Sequence, residues 1–386
     1  MPLLAARTKG FSDSGIRRMT RLAKEFDAIN LAQGFPDVDP PRPLLDRLTQ
    51  VAYEGPHQYA ITWGAPNFRQ AVATKQARLM GLPLDPDLHI TITSGSTEAM
   101  MATVMTVLDA GDKVITFSPF YEAHRSDPRL VGATPVFVPM SPPDFTFTEA
   151  DLAAAFEQGA KALILCNPGN PSGKVFSREE LELIASYCER YDVFVITDEV
   201  YEHIVFEPNE HIYFASLPGM FERTFSISSL SKTYSMTGWR LGWIVAPEPL
   251  SDAVKMIHDF FTAGAAAPMM EAAVAGLGFG DDYYRELHGF YSSRRKLLLA
   301  GLDAIGIEHT SPQGAYYVLL DISRYGFDDD REFCDALVAE GGLALVPGSA
   351  FFAEDVHHLA RLHFAKDHQT LNEALNRLEA FDRRHR

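Results

Sequence analysis

Ser229-Leu230-Ser231-Lys232-Thr233-Tyr234-Ser235-Met236-Thr237-Gly238-Trp239-Arg240-Leu241-Gly242 lies between two β-branched runs, at 224–228 and 241–246, and reads as a hydroxyl-rich turn joining two strands. It carries one lysine, an arginine eight residues later and small residues between them. A lysine that attaches a cofactor aldehyde needs a cradle for the cofactor's phosphate close by. Ser229, three residues before Lys232, and Arg240 offer the hydroxyl and the guanidinium for such a cradle. A short Ser/Lys/Gly stretch by itself is more often an ordinary loop, so the surrounding chain has to decide.

Outward from that turn, the chain alternates β-branched runs with amphipathic helical stretches from about residue 90 to 246. The runs fall at 90–93, 114–117, 135–138, 162–166, 193–197, 224–228 and 241–246. Helical patterns such as 97–109 and 177–191 separate them, the second opening with the capping box Ser177-Arg178-Glu179-Glu180. This alternation predicts an α/β fold with a mainly parallel sheet flanked by helices on both faces. Ligands in such sheets sit beyond the carboxyl ends of the strands. Asp198, the stretch 167–170 and the stretch 226–232 each follow or end a strand, so they converge on one crevice. Past residue 285 a long charged helix (283–304) leads to runs at 316–321, 343–346 and 359–364 and a last helix at 369–381. The expected organisation is an N-terminal segment (1–45) joining a smaller α+β domain (286–386), with a large cofactor-binding domain (46–285) between them.

Several residues along that crevice have matching chemistry. Asn167-Pro168-Gly169-Asn170-Pro171-Ser172-Gly173 reads as a stiff, exposed turn that aims Asn170 at the crevice, with an ordinary loop as the competing reading. Asp198 ends a very apolar strand, where a carboxylate is costly unless it meets a cation or donors. A protonated pyridine nitrogen is such a partner, and Tyr201, three residues on, can donate to the phenolic oxygen of the same ring together with Asn170. Taken singly, Asp198 also suits a helix N-cap and Tyr201 a core aromatic. Ser94-Gly95-Ser96-Thr97 joins a strand to a helix, so its free N–H groups favour the second half of a phosphate site through Ser96 and Thr97. Tyr121, in Ser118-Pro119-Phe120-Tyr121, is placed to stack on a cofactor ring or to pack in the core.

The lysine signature resembles that of fold-type I, class I pyridoxal-phosphate-dependent aminotransferases. The resemblance extends over nearly the whole chain, and its texture is most similar to the kynurenine/glutamine/methionine aminotransferase group. It is carried further by Leu31-Ala32-Gln33-Gly34-Phe35-Pro36-Asp37, Asn170-Pro171-Ser172-Gly173-Lys174-Val175-Phe176-Ser177, Asp198-Glu199-Val200-Tyr201 and Arg361-Leu362-His363-Phe364-Ala365-Lys366-Asp367. It implies pyridoxal 5'-phosphate as cofactor, with Lys232 as its anchor and catalytic base. It also implies that Gly34 lies against the substrate and that Arg361 grips the α-carboxylate. By the same resemblance Tyr59 reaches the phosphate of a neighbouring subunit, which implies a homodimer. One departure is the run Thr262-Ala263-Gly264-Ala265-Ala266-Ala267-Pro268, where related proteins carry an aromatic residue and end Pro-x-Gln. Ala263 would leave room on one wall of a pocket for a neutral, fairly large side chain of methionine, glutamine or aromatic type. Neither Arg125 nor Arg129 is assignable from spacing as a second carboxylate clamp.

Composition narrows the partners. A net charge of -17 disfavours nucleic acid, and no run approaches a membrane span. Residues 1–10 lack the apolar core of a secretory leader, and three scattered cysteines (Cys166, Cys188, Cys334) fit a reducing, cytoplasmic setting without a disulfide framework or a clustered metal site. The thirteen histidines show no ligand spacing, so no metal is expected. The implied reaction moves an amino group from an amino acid to a 2-oxo acid. Its rivals are β-elimination from a cysteine conjugate on the same cofactor and a non-catalytic cofactor-binding regulator; the complete lysine, aspartate and arginine set speaks against the regulator.

Overall fold

The computed structural model describes residues 2–5, 7–8 and 13–386; part of the 1–10 stretch read above lies outside them. The chain runs through α1 (Gly15–Glu25), β1 (Ile29–Asn30), α2 (Arg42–Glu54), α3 (Pro66–Met80), β2 (Ile90–Thr93), α4 (Ser96–Val107), β3 (Lys113–Ser118), α5 (Glu122–Leu130) and β4 (Thr134–Pro139). It continues with α6 (Glu149–Phe156), β5 (Ala162–Cys166), α7 (Arg178–Arg190), β6 (Phe194–Asp198), β7 (Thr224–Ser229), β8 (Gly242–Val245), α8 (Glu248–His258) and α9 (Ala267–Leu277). The last part holds α10 (Asp281–Ile305), β9 (Tyr317–Asp321), α11 (Asp330–Gly341), β10 (Leu343–Ala344), β11 (Val346–Pro347), β12 (Leu359–His363) and α12 (His368–His385).

The apolar runs of the middle section form one seven-stranded sheet in the order β2-β8-β7-β6-β5-β3-β4. Only β8 runs against its neighbours, pairing antiparallel with both β2 and β7. Its central strands are buried on both faces, which is why they read as continuous apolar runs rather than alternating ones. The capping box at Ser177 forms as the spacing predicts, with Ser177 Oγ accepting from Glu180 N–H and the Glu180 carboxylate accepting from Ser177 N–H.

Two expectations need correction. The run at 343–346 is two short strands in different sheets: β10 pairs parallel with β1, while β11 pairs antiparallel with β12. The chain changes sheets at Leu345 because the N-terminal segment supplies β10 with a partner from more than three hundred residues away, which no local pattern reveals. The turn at 167–173 is buried, not exposed. The segment leading into β9 covers it: Gln313 and Gly314 both donate backbone N–H bonds to Gly173 O at 2.8 Å.

Behind the sheet lies a buried ion pair. Lys75 Nζ on α3 meets Glu202 Oε1 at 2.8 Å with both side chains only 1% exposed, and Tyr213 Oη donates to Glu202 Oε2 at 2.6 Å. Burial would raise the Glu202 carboxyl, yet Lys75 and His203 hold it well below the usual range. Removing one partner strands the other charge in a dry interior. Lys75→Met should therefore lower unfolding stability by about 3–5 kcal/mol in denaturant titration; a loss under about 1 kcal/mol would show that Glu202 is compensated by other groups.

Candidate active site

The reversal of β8 explains how residues far apart in sequence share one edge. The carboxyl ends of β2, β3, β5, β6 and β7 all face the same way, and the start of β8 faces with them. Arg240, two residues before β8, therefore arrives beside Ser96 and Thr97, which open α4 after β2. The approach is close: a Cβ on Gly242 would lie 2.6 Å from Gly95 C and Ser96 N, so only glycine fits there. Gly95 itself has φ +82°, a left-handed conformation suited to glycine, and any side chain on it would collide with the Arg240 guanidinium.

A cleft of about 480 Å³ opens along this edge. Of the residues predicted from the sequence, it brings together Gly34, Ser96, Thr97, Tyr121, Asn170, Asp198, Tyr201, Lys232, Arg240 and Arg361. Ser229 is buried beneath the turn, its Oγ accepting Ser231 N–H at 3.3 Å, and Ser231 lines the cleft in its place. Tyr59 is 88% exposed and outside this chain's cleft. Ala263 also lies outside it, exposed on the surface, so it forms no wall of the pocket within one chain. The alanines that follow it at 265 and 267 are instead buried in an apolar cluster with Met270 and Trp243.

Asp198 ends β6 with its backbone O accepting Asn167 N–H at 3.0 Å, and it is buried. Turns rather than a helix follow it, which removes the N-cap reading. His124, on α5, sits 3.1 Å from Asp198 Oδ2 through Nε2, while Asp198 Oδ1 is buried with no partner. Cys166 Sγ, a ring nitrogen of His124 and a carboxylate oxygen of Asp198 lie within 4.8 Å of one another, although the three are 42 and 32 residues apart in sequence. The thiol donates to Pro168 O at 3.4 Å, and burial raises its pKa well above the usual value.

Lys232 is half-buried and donates to Gly34 O at 2.9 Å. Burial pushes its ammonium down to about 8; Asp198 opposes that shift, and the cations Arg361 and Arg240 reinforce it. Tyr201 is buried, with its Oη 2.8 Å from Tyr317 Oη, and Tyr316 Oη donates to Gly34 O at 2.9 Å. Burial lifts the Tyr121 phenol to about 12, so it is a neutral aromatic surface at ordinary pH.

Arg361, in the middle of β12, is fully buried between the rings of Tyr317 and Phe351, each 4.4 Å from its guanidinium carbon. Nη1 donates to Asn170 Oδ1 at 2.8 Å and Nη2 to Ala32 O at 2.7 Å, while Nε has no partner. No carboxylate pairs with it among the described residues. Among the site residues that the sequence reading missed are Ser231, His124, Tyr316 and Tyr317. His124 carried a usable signal, lying three residues after Tyr121 on a short helix. The two tyrosines did not, because they sit in an apolar C-terminal run that only the fold brings to the cleft.

Comparison with known proteins finds relatives over nearly the whole chain. The family model "Aminotransferase class I and II" matches residues 27–378. The chain is 37% identical to the methionine aminotransferase of Escherichia coli, covering 94% of each chain, and 33% identical to human kynurenine–oxoglutarate transaminase 1, covering 96% of each. The solved structure of N-succinyldiaminopimelate aminotransferase from Mycobacterium tuberculosis superposes with a TM-score of 0.95 at 34% identity, over 98% of this chain and all of that one.

Gly34 bears directly on the integrity of the cleft. A Cβ there would lie 2.8 Å from Tyr317 Cε1 and Cζ and closer still to its hydroxyl. Gly34→Ala should force the two apart and cost about 1–3 kcal/mol of stability, read as a fall in melting temperature. An unchanged melting temperature would mean that Tyr317 moves aside freely.

Proposed function

The chain belongs to the class I and II aminotransferases, and on that premise we propose that it moves the amino group of a neutral, fairly large L-amino acid (methionine, glutamine or aromatic type) to a 2-oxo acid, with pyridoxal 5'-phosphate as cofactor. The observation that carries this most directly is Arg361. A fully buried guanidinium without a carboxylate partner among the described residues is costly, and a substrate α-carboxylate compensates it. The fork geometry suits a bidentate carboxylate, which a lysine would not match. The cleft also carries Ile16, Phe35, Val200 and Tyr317, which offer apolar and aromatic contact to a neutral side chain.

The donor set fits the cofactor. Asp198 Oδ1, buried and without a partner, is suited to hold the proton of a pyridine nitrogen. Ser96, Thr97, Ser231 and Arg240 form a donor-rich pocket suited to a phosphate. Tyr201 and Asn170 can both reach toward a phenolic oxygen, and Tyr121 offers a ring face. When bound, the cofactor supplies an aldehyde that accepts the amino group and a cationic ring that draws electrons from the substrate α-carbon. Lys232 Nζ would hold the cofactor through its aldehyde carbon and, as a free amine, would serve as the general base for the proton on the substrate α-carbon. Desolvation serves this role directly, because an amine titrating near 8 is partly neutral where an ordinary lysine is fully charged. His124 steadies Asp198 from behind.

We also place the active enzyme as a cytoplasmic homodimer, with Tyr59 of one protomer at the phosphate of the other. Tyr59 (88%), Phe260 (91%) and Tyr53 (89%) are large side chains left exposed by the single chain, and a second copy would cover such groups.

A screen of amino donors and oxo-acid acceptors, read with cofactor absorbance, tests this function. Methionine, glutamine or an aromatic amino acid should lead the donor profile, and a profile led by aspartate would refute the substrate reading. Lys232→Ala should abolish the borohydride-trappable adduct and nearly all turnover, whereas an adduct on another lysine would displace Lys232 from its role. Asp198→Ala should bind cofactor weakly and lose orders of magnitude in activity; near-normal turnover would reduce Asp198 to a structural carboxylate. Arg361→Lys should weaken use of every donor while cofactor attachment stays intact.

The pH dependence of cofactor uptake by the apoprotein follows from the same lysine. The depressed pKa means that the reactive neutral amine grows about tenfold per unit below about pH 8 and levels off above it. The uptake rate, followed by absorbance, should bend near pH 8. A rate still climbing steeply at pH 10 would show an unperturbed lysine.

A further inference from the structure

The proposed function makes no use of His258, the last residue of α8, which is fully buried with its ring held at both nitrogens. Nε2 sits 2.8 Å from Thr62 O, and Nδ1 sits 2.7 Å from Glu98 Oε1. A carbonyl oxygen only accepts, so Nε2 carries a proton. Glu98 stands in the first turn of α4. Its Oε2 accepts Ser94 N–H, and its Oε1 also accepts the Thr262 hydroxyl at 3.2 Å. Hydrogen bonds donated to both oxygens favour the ionised carboxylate. Nδ1 therefore donates as well, and the ring is an imidazolium.

The electrostatics point the same way. Burial would lower the pKa of His258, but the bonds to Glu98 and Thr62 raise it above its ordinary value, and the charge of Asp259 adds to the rise. Burial likewise opposes ionisation of Glu98, yet His258 and Ser94 N–H hold that carboxyl below the usual range. Two helix dipoles favour this arrangement. Glu98 stands at the N-terminus of α4 and His258 at the C-terminus of α8, the end at which each charge is preferred.

The pair matters because of the turn it holds. Ser94 leads into Ser96 and Thr97, which open α4 at the proposed phosphate pocket, where a helix leaves its first N–H groups free. Glu98 takes Ser94 N–H, while Arg240 Nη2 reaches Ser94 O at 3.5 Å. The turn is thus set from one side by the proposed phosphate arginine and from the other by a carboxylate. A carboxylate there competes with a phosphate for the same helix terminus, and its charge repels the phosphate unless a cation offsets it. We propose that His258, as an imidazolium, is a positioning residue of the phosphate site. It neutralises Glu98, so that Glu98 fixes the turn at 94–97 without repelling the phosphate. Neither His258 nor Glu98 lines the cleft, so the pair acts through that turn. This inference rests on the cofactor reading above and adds the residues that shape its phosphate seat.

The test titrates full-length protein, stripped of cofactor, with pyridoxal 5'-phosphate and with pyridoxal, which lacks the phosphate. Dissociation constants are read from absorbance. His258→Gln should weaken pyridoxal 5'-phosphate about tenfold and leave pyridoxal within about twofold. Combining His258→Gln with Glu98→Gln removes the unmatched anion and should recover most of that loss. Equal weakening of both ligands, no weakening, or no recovery in the double variant overturns the role of His258 while the cofactor reading stands. A second measurement does not depend on a folded His258 variant. In unaltered protein labelled with nitrogen-15 at histidine, a ring protonated at both nitrogens should persist at about pH 8, more than a unit above an ordinary imidazole, and disappear in Glu98→Gln. Absence of such a ring, or its survival in Glu98→Gln, overturns the proposal. Failure of the unaltered protein to bind pyridoxal 5'-phosphate overturns the cofactor reading, and this inference with it.

Discussion

A short N-terminal segment, residues 31–35, is held from two sides, and the cleft depends on that hold. From the C-terminal sheet, Arg361 Nη2 donates to Ala32 O, His363 N–H to Leu31 O and Tyr316 Oη to Gly34 O. From the large sheet, Lys232 Nζ donates to the same Gly34 O. These bonds join pieces of chain about 200 and 330 residues from the segment. Gly34 is where they meet, and it has to be glycine because its backbone lies against the Tyr317 ring. The proposed carboxylate grip and the proposed cofactor anchor are thus spaced by one strip of backbone.

Electrostatics around that strip follow from burial. Lys232 loses basicity because its ammonium leaves water, and the cations Arg361 and Arg240 push the same way. Arg361 stays buried because two aromatic faces and two carbonyl oxygens replace part of its hydration. Asp198 keeps one oxygen on His124 and leaves the other without a partner. Each group is partly compensated by the protein, and the remainder suits a ligand of opposite charge. The contrast with Glu202 is instructive, since Lys75, Tyr213 and Gln76 surround its carboxylate and no ligand is called for.

Local pattern was a good guide wherever an element's stability is itself local. The runs at 90–93 and 162–166 are strands with those limits, and the Ser177 capping box starts its helix. It failed where long-range contacts decide. The run at 343–346 splits because β1 and β12 capture its two halves. The turn at 167–173 is rich in proline and glycine, which reads as surface, yet the 312–315 segment closes over it. The resemblance puts Ala263 on a pocket wall, but Ala263 is exposed in the single chain.

The sequence by itself determined the sheet, its order of helices and strands, and the residue types that end each strand, because hydrophobic period and capping act over a few residues. The placing of Lys232, Asp198, Asn170 and Arg240 at or near strand ends was therefore legible. The tertiary structure alone decided which side chains support them. His124 reaches Asp198, and Tyr317 packs on Arg361 and Gly34, only because strands and helices distant in sequence are packed together. A partner that depends on folding across hundreds of residues leaves no spacing to read, and that is why the supporting groups came from the structure and the strand-end groups from the sequence.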